Sequence, residues 1–173
     1  MAIPKNKVDL AKREDEAEAR ILADRRAKRI LEIRIARDFR RIDLSAHFVY
    51  SSCVSVIEYG CKKGYSPWET RTLVAAGAAL EAVPELEARL IEGSLTLDAV
   101  AALSPILVHP DFAAEQAKWI HLGETSDLRA LDRLVKQKLA EAEKKELVLP
   151  KTILLTVEEE KVFFEARCVA MKK

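Results

Sequence analysis

Gly64-Tyr65-Ser66-Pro67-Trp68-Glu69-Thr70-Arg71 is the stretch on which the reading of this chain turns. Gly64 can take the positive φ that closes a preceding helix. Ser66 is a good N-cap, Pro67 suits the first helical position, and Glu69, three residues after Ser66, completes a capping box. The stretch therefore predicts a tight junction between two helices. Junctions of this kind often aim the second helix at a partner, DNA included.

Upstream, residues 8–42 contain no Gly or Pro and are rich in strong helix formers. Leu31, Ile35, Phe39 and Ile42 form an apolar stripe at helical spacing, whereas the part before Ile21 is more polar. Asp24, Lys28 and Asp38 interrupt any continuous heptad seam, so the spacing predicts a long basic helix that docks only its second half and is not a coiled coil. The next helical segment, 44–62, offers Phe48, Val54, Ile57 and Cys61 to the core, with a start near Ser51 and a break around Tyr50. Downstream of the junction a helix over 67–80 presents Leu73, Val74 and Leu80. Its small residues Ala75, Ala76, Ala78 and Ala79 allow close helix approach, and Gly77 weakens this helix unless it serves tight packing.

Pro84 then opens a short helix to about Ile91, ended by Gly93. Ser94 or Thr96 caps a helix over 97–103, stopped by Pro105. His109-Pro110-Asp111 opens another through Trp119 or His121, ended by Gly123. Thr125-Ser126-Asp127 precedes a longer one over 128–146, with Ser126 the better N-cap and Leu128, Leu131, Leu134, Val135 and Leu139 on its apolar side. At 147–157 (LVLPKTILLTV) the period changes to a β-prone one, which predicts a strand over 151–156, and Thr156 with Glu159 starts a last helix. A lone strand needs a partner, so pairing with a second copy is one expectation. The expected fold is mainly α: a multi-helical bundle of about seven helices with a helix-turn-helix-like junction, a long basic N-terminal helix, and one short C-terminal β-strand followed by a helix. Three regions follow: an arm at 1–42, a helical core at 43–146 and a strand–helix tail at 147–173.

Composition narrows the function classes. No apolar run reaches the roughly 20 residues of a membrane span, and the charged N-terminus is no signal sequence, so a cytoplasmic protein without a membrane partner is expected. Cys53, Cys61 and Cys168 form no CxxC pair, which argues against a disulfide framework and a cysteine-rich zinc site. Glycines occur only at 60, 64, 77, 93 and 123, which leaves no Gly-rich phosphate loop. His47, His109 and His121 lie in no metal-ligand or acid–base pattern, and no serine sits in a nucleophile-elbow context. No cofactor, no metal and no catalytic residue are expected, and the chain is read as a non-enzyme. Charge, in contrast, is uneven. Residues 1–42 hold 13 basic and 8 acidic side chains, although the whole chain carries a net charge of only +1. Such a cationic arm on a mildly acidic body suits a polyanion or an acidic partner surface.

One run of motifs carries a resemblance. Tyr50-Ser51, Tyr59, Gly64-Tyr65-Ser66, and Arg71 with Ala75-Ala76 are followed by Pro84, Leu86, Leu90, Gly93-Ser94-Leu95-Thr96-Leu97 and Val100-Ala101-Ala102-Leu103. Gly123-Glu124-Thr125 and the helix from Arg129 to Val135 come next. In order and spacing this pattern, over about 40–165, resembles the helical N-terminal region of bacterial HNH endonuclease-family proteins. That family's nuclease module, with its metal-binding His and Asn or Asp residues and frequent CxxC pairs, would follow at the C-terminus, and this chain shows none of its motifs. The resemblance thus implies the non-catalytic part. A fainter likeness to the helix-turn-helix region of ParB-type DNA-binding proteins implies a shared helical architecture only.

Two functional expectations follow. In the first, the chain is a DNA-associated accessory protein. Arg25, Arg26, Arg29, Arg34, Arg37, Arg40 and Arg41 would grip the backbone of duplex DNA through bidentate contacts, and Thr70 and Arg71 would present a second surface. The plainer reading of the same residues is a solvated helix face and an ordinary helix hairpin with Tyr65 and Trp68 in the core. Glu81, Glu85, Glu87, Glu92 and Asp98 would repel phosphates nearby. In the second expectation, the chain is a protein-interaction or self-assembly module without nucleic-acid binding, with a homodimer through the C-terminal strand as one form.

Overall fold

Helix α1 (Lys5–Leu44) runs unbroken for 40 residues, as its strong helix formers and lack of Gly and Pro allow, and spans about 60 Å at the α-helical rise. The computed structural model describes the backbone of residues 5–148 and the side chains of 14–143. After α1 come a 3-10 turn (His47–Ser51), α2 (Val56–Lys62), α3 (Pro67–Ala82), α4 (Leu86–Glu92) and α5 (Leu97–Leu107). A second 3-10 turn (Pro110–Glu115), α6 (Gln116–Thr125) and α7 (Leu128–Val148) complete the described residues. The chain divides into two compact units, Met1–Leu139 and Ala140–Lys173. In the second, the described residues 140–148 continue α7.

The fold class needs one correction. Among the described residues there is no strand, and the described chain is all-helical. The strand expected over 151–156, and the final helix after it, lie outside the described residues.

In the first unit α3 is the central helix, packed on α1, α2 and α5. Its start follows the junction read from sequence. Gly64 sits at φ 92°, the Ser66 hydroxyl accepts from the Glu69 N–H, and the Glu69 carboxylate accepts from the Ser66 N–H, closing the capping box. Its length of 16 residues is set by burial of Thr70, Leu73, Ala76, Gly77, Ala79 and Leu80. Gly77 lies where α1 crosses. A Cβ there would collide with the Ala36 carbonyl and with Arg40 Cβ, so the two backbones meet closely only because both Gly77 and Ala36 are small.

The face α1 offers is not the expected one. Of Leu31, Ile35, Phe39 and Ile42 only Phe39 is buried, together with Ile33 and Ala36, while Leu31 is 55% exposed. Hydrophobicity alone selects the leucine–isoleucine stripe. The close crossing instead needs the alanine side of the helix, and rotation toward Ala36 turns Leu31 outward. Docking is confined to the second half, as expected: from Glu14 to Lys28 every residue except Ala17 is exposed.

Five boundaries move for local reasons. The break after α1 is wider than the sequence implies, with Ala46 and Ser52 both at positive φ on either side of the 3-10 turn. Helix α2 begins only at Val56, where the Ser55 hydroxyl accepts from the Glu58 N–H. Helix α5 passes through Pro105 and ends at Leu107, because Leu103, Ile106 and Leu107 are all buried and their burial offsets a cost of about 3 kcal/mol for an internal proline. Gly123 lies inside α6 and packs against Leu103 and Leu95 instead of ending the helix. Asp127, not Ser126, caps α7, its Oδ1 accepting from the N–H groups of Arg129 and Ala130.

Candidate interaction surface

The seven arginines from Arg25 to Arg41 on α1 divide into two groups according to the direction in which the close crossing turns the helix. Arg29, Arg37 and Arg40 face the body. Arg29 donates to the Ile91 carbonyl at 3.0 Å and lies over Gly93, whose φ of 88° ends α4. Arg37 pairs with Glu87 at 2.8 Å. Arg40 bridges Glu81 at 3.2 Å and Asp43 at 3.4 Å. These three clamp α1 to α3 and α4. The glutamates at 81 and 87, which in sequence look like phosphate repellents, are the acceptors of two of them. The opposite charge of the two segments was the signal that could have revealed this.

Arg25, Arg26, Arg34 and Arg41 are exposed. Arg41 approaches only Asp38, at 3.7 Å with both side chains well in solvent, a geometry worth little. Arg25, Arg26 and Arg34 form no ion pair with any described residue. The basic cluster read as one footprint is therefore two structures: a clamp and a set of free cations.

At the junction the expected pair is separated too. Thr70 is fully buried, its hydroxyl donating to the Ser66 carbonyl at 3.0 Å and its side chain packed against Gly60. It is not available to a partner. Arg71 is exposed, and Trp68 beside it is 59% exposed. Both line an open groove of about 460 Å³, floored by Ala75, Ala101, Ala102 and Leu128. Asp98 and Asp132 stand in the same groove with Arg129, so its charge is mixed and would not favour phosphate. Tyr65 is half-buried against Phe39, while Trp68 turned outward, which splits the hairpin reading between them.

The carboxylates with displaced titration are structural. The Arg89 hydrogen bond holds Glu124 below the ordinary glutamate range, the Lys138 hydrogen bond does the same for Glu115, and the Ser66 backbone N–H lowers Glu69. A lowered folded value contributes stability above the unfolded pKa that is lost as pH falls through the folded one. Thermal stability should thus hold at neutral pH and decline below about pH 4.3. Melting curves between pH 7 and pH 3 check this: Glu69→Gln with Glu124→Gln should lower the pH 7 midpoint and flatten the acid limb. An unchanged acid limb would show that these pairs do not control it. No group of three or more His, Cys, Asp or Glu that could hold a metal ion occurs among the described residues, and none of their helices is long and apolar enough to cross a membrane.

No family model, no curated protein and no solved structure matches this chain.

Proposed function

We propose that this protein is a non-enzymatic interaction module that assembles through the free half of α1. The observation that carries this reading is the arm itself. Residues 14–28 stand clear of the body, and Ile21 and Leu22, each 59% exposed, lie at its middle. A helix without tertiary packing is marginal in water, so an apolar pair on such a helix has a use when a partner covers it. The resemblance to the helical, non-catalytic region of HNH-family proteins is compatible with a module that carries no chemistry of its own.

A second reading keeps duplex DNA as the partner, through Arg25, Arg26, Arg34 and Arg41, which the body leaves free. Its footprint is smaller than the sequence implies, because Arg29, Arg37 and Arg40 are held by the body and Thr70 is enclosed. The acidic run Glu14, Asp15, Glu16 and Glu18 on the same arm also opposes it.

Two measurements separate the readings. Sedimentation velocity over a concentration series should show association of the wild type. Fluorescence anisotropy with a labelled random duplex, at low and physiological salt, should show no binding at micromolar protein. Steep, salt-sensitive DNA binding that disappears when the four free arginines become glutamine would replace the assembly reading with the DNA one.

A further inference from the structure

Six residues of the free arm, Glu14, Ala17, Glu18, Ile21, Arg25 and Lys28, recur at i, i+3, i+4, i+7, i+11 and i+14 and so share one helical face. All are exposed except Ala17, which is half-buried. One half of this face is acidic, the other basic, and Ile21 sits between them. Lys28 is held only by Glu32, a neighbour one turn along the same helix, at 3.6 Å and with both side chains in solvent.

We infer that this face binds its own copy, in an antiparallel pair of α1 arms centred on Ile21. This inference rests on the assembly reading above and specifies its partner. The argument is the symmetry of charge. In a parallel pair Glu14 meets Glu14, Glu18 meets Glu18 and Lys28 meets Lys28, so every polar position on the face opposes its own sign. Reversing one arm about Ile21 brings Glu14 level with Lys28 of the second copy and Glu18 within one residue, about 1.5 Å along the axis, of Arg25, and a two-fold axis repeats each contact. Ile21 then packs on Ile21 at the axis. Lys28, one of the residues that spoil a continuous seam, joins Glu14, Glu18 and Arg25 in setting orientation and register, because these charges oppose their own sign in a parallel pair.

The body leaves room for this pairing. Docking of α1 begins near Arg29, and the side it buries, Ile33, Ala36 and Arg40, points away from Leu31, which is exposed beyond the end of the free arm. The overlapped segment, residues 14–28, is about 22 Å long. An overlap so short gives a weak, salt-sensitive dimer and not an obligate one.

Charge exchange on exposed positions tests the proposal without disturbing the core. Sedimentation at low ionic strength should show the wild type dimerising. Glu14→Lys with Glu18→Lys should weaken the dimer at least tenfold, and so should Arg25→Glu with Lys28→Glu. The chain with all four changes should dimerise again, because the antiparallel pairs reform with their signs exchanged. Orientation is read with cysteine reporters in a background of Cys61→Ser and Cys168→Ser. Chains with Glu14→Cys should cross-link to chains with Lys28→Cys and not to each other. A four-change chain that stays as weak as the two-change chains, or ready cross-linking of Glu14→Cys to itself, overturns the antiparallel pair. If the wild type dimerises but ignores every charge change, the assembly reading stands and this inference falls. If the wild type is monomeric at all concentrations, both fall.

Discussion

Replacing Gly77 with valine is expected to destabilise the protein by about 3 kcal/mol, near the upper end of the usual overpacking cost. The added Cβ would meet the Ala36 carbonyl and Arg40 Cβ at the α1–α3 crossing. The first of these is backbone and can move only if the two helices separate. Separation would also stretch the Arg40–Glu81 pair that joins the same two helices, and the Arg37–Glu87 pair that ties α1 to α4 beside them. A loss of that size lowers the melting midpoint by roughly 6–12 °C for a chain in this size range. The informative control is Gly77→Ala. In an unobstructed helix alanine in place of glycine gains up to about 1 kcal/mol. Here it should still destabilise, and a rise in midpoint would refute the close crossing.

Phe39→Ala should cost about 3–4 kcal/mol in urea denaturation. Phe39 is 5% exposed and meets Tyr65 edge-on at 5.1 Å and Tyr59 at 6.4 Å. Tyr59 lies on α2 and Tyr65 in the turn before α3, so one ring ties α1 to both sides of the junction. Truncation removes the aromatic contacts and leaves a cavity at the point where three helices converge. The free half of α1 should remain helical and competent for self-association, because residues 14–28 make no contact with that cluster. Loss of association in parallel with loss of stability would instead place the interaction surface on the body.

Local signals were well expressed in the chain where their physics is local. The capping box at Ser66 and Glu69, the positive φ at Gly64, the cap at Thr96 and the uninterrupted run of α1 each depend on residues within a turn of one another, and each appears as read. The limits of that legibility were equally physical. Pro105 and Gly123 are helix breakers by propensity, yet burial among Leu95, Leu103 and Ile106 outweighs propensity at both.

What the amino-acid sequence by itself determined is the helical class, the tight junction and a basic arm that docks by its second half. These follow from spacing, caps and composition along one strand of chain. Only the tertiary structure decided which way α1 faces. That choice depends on whether Ala36 can approach Gly77, two positions far apart in sequence. It decides in turn that Arg29, Arg37 and Arg40 clamp the body while Arg25, Arg26, Arg34 and Arg41 stay free, and that Thr70 lies beneath Gly60 and not on a surface. A charged side chain reads the same in sequence whether it meets solvent or a neighbouring helix, because its partner is chosen by packing.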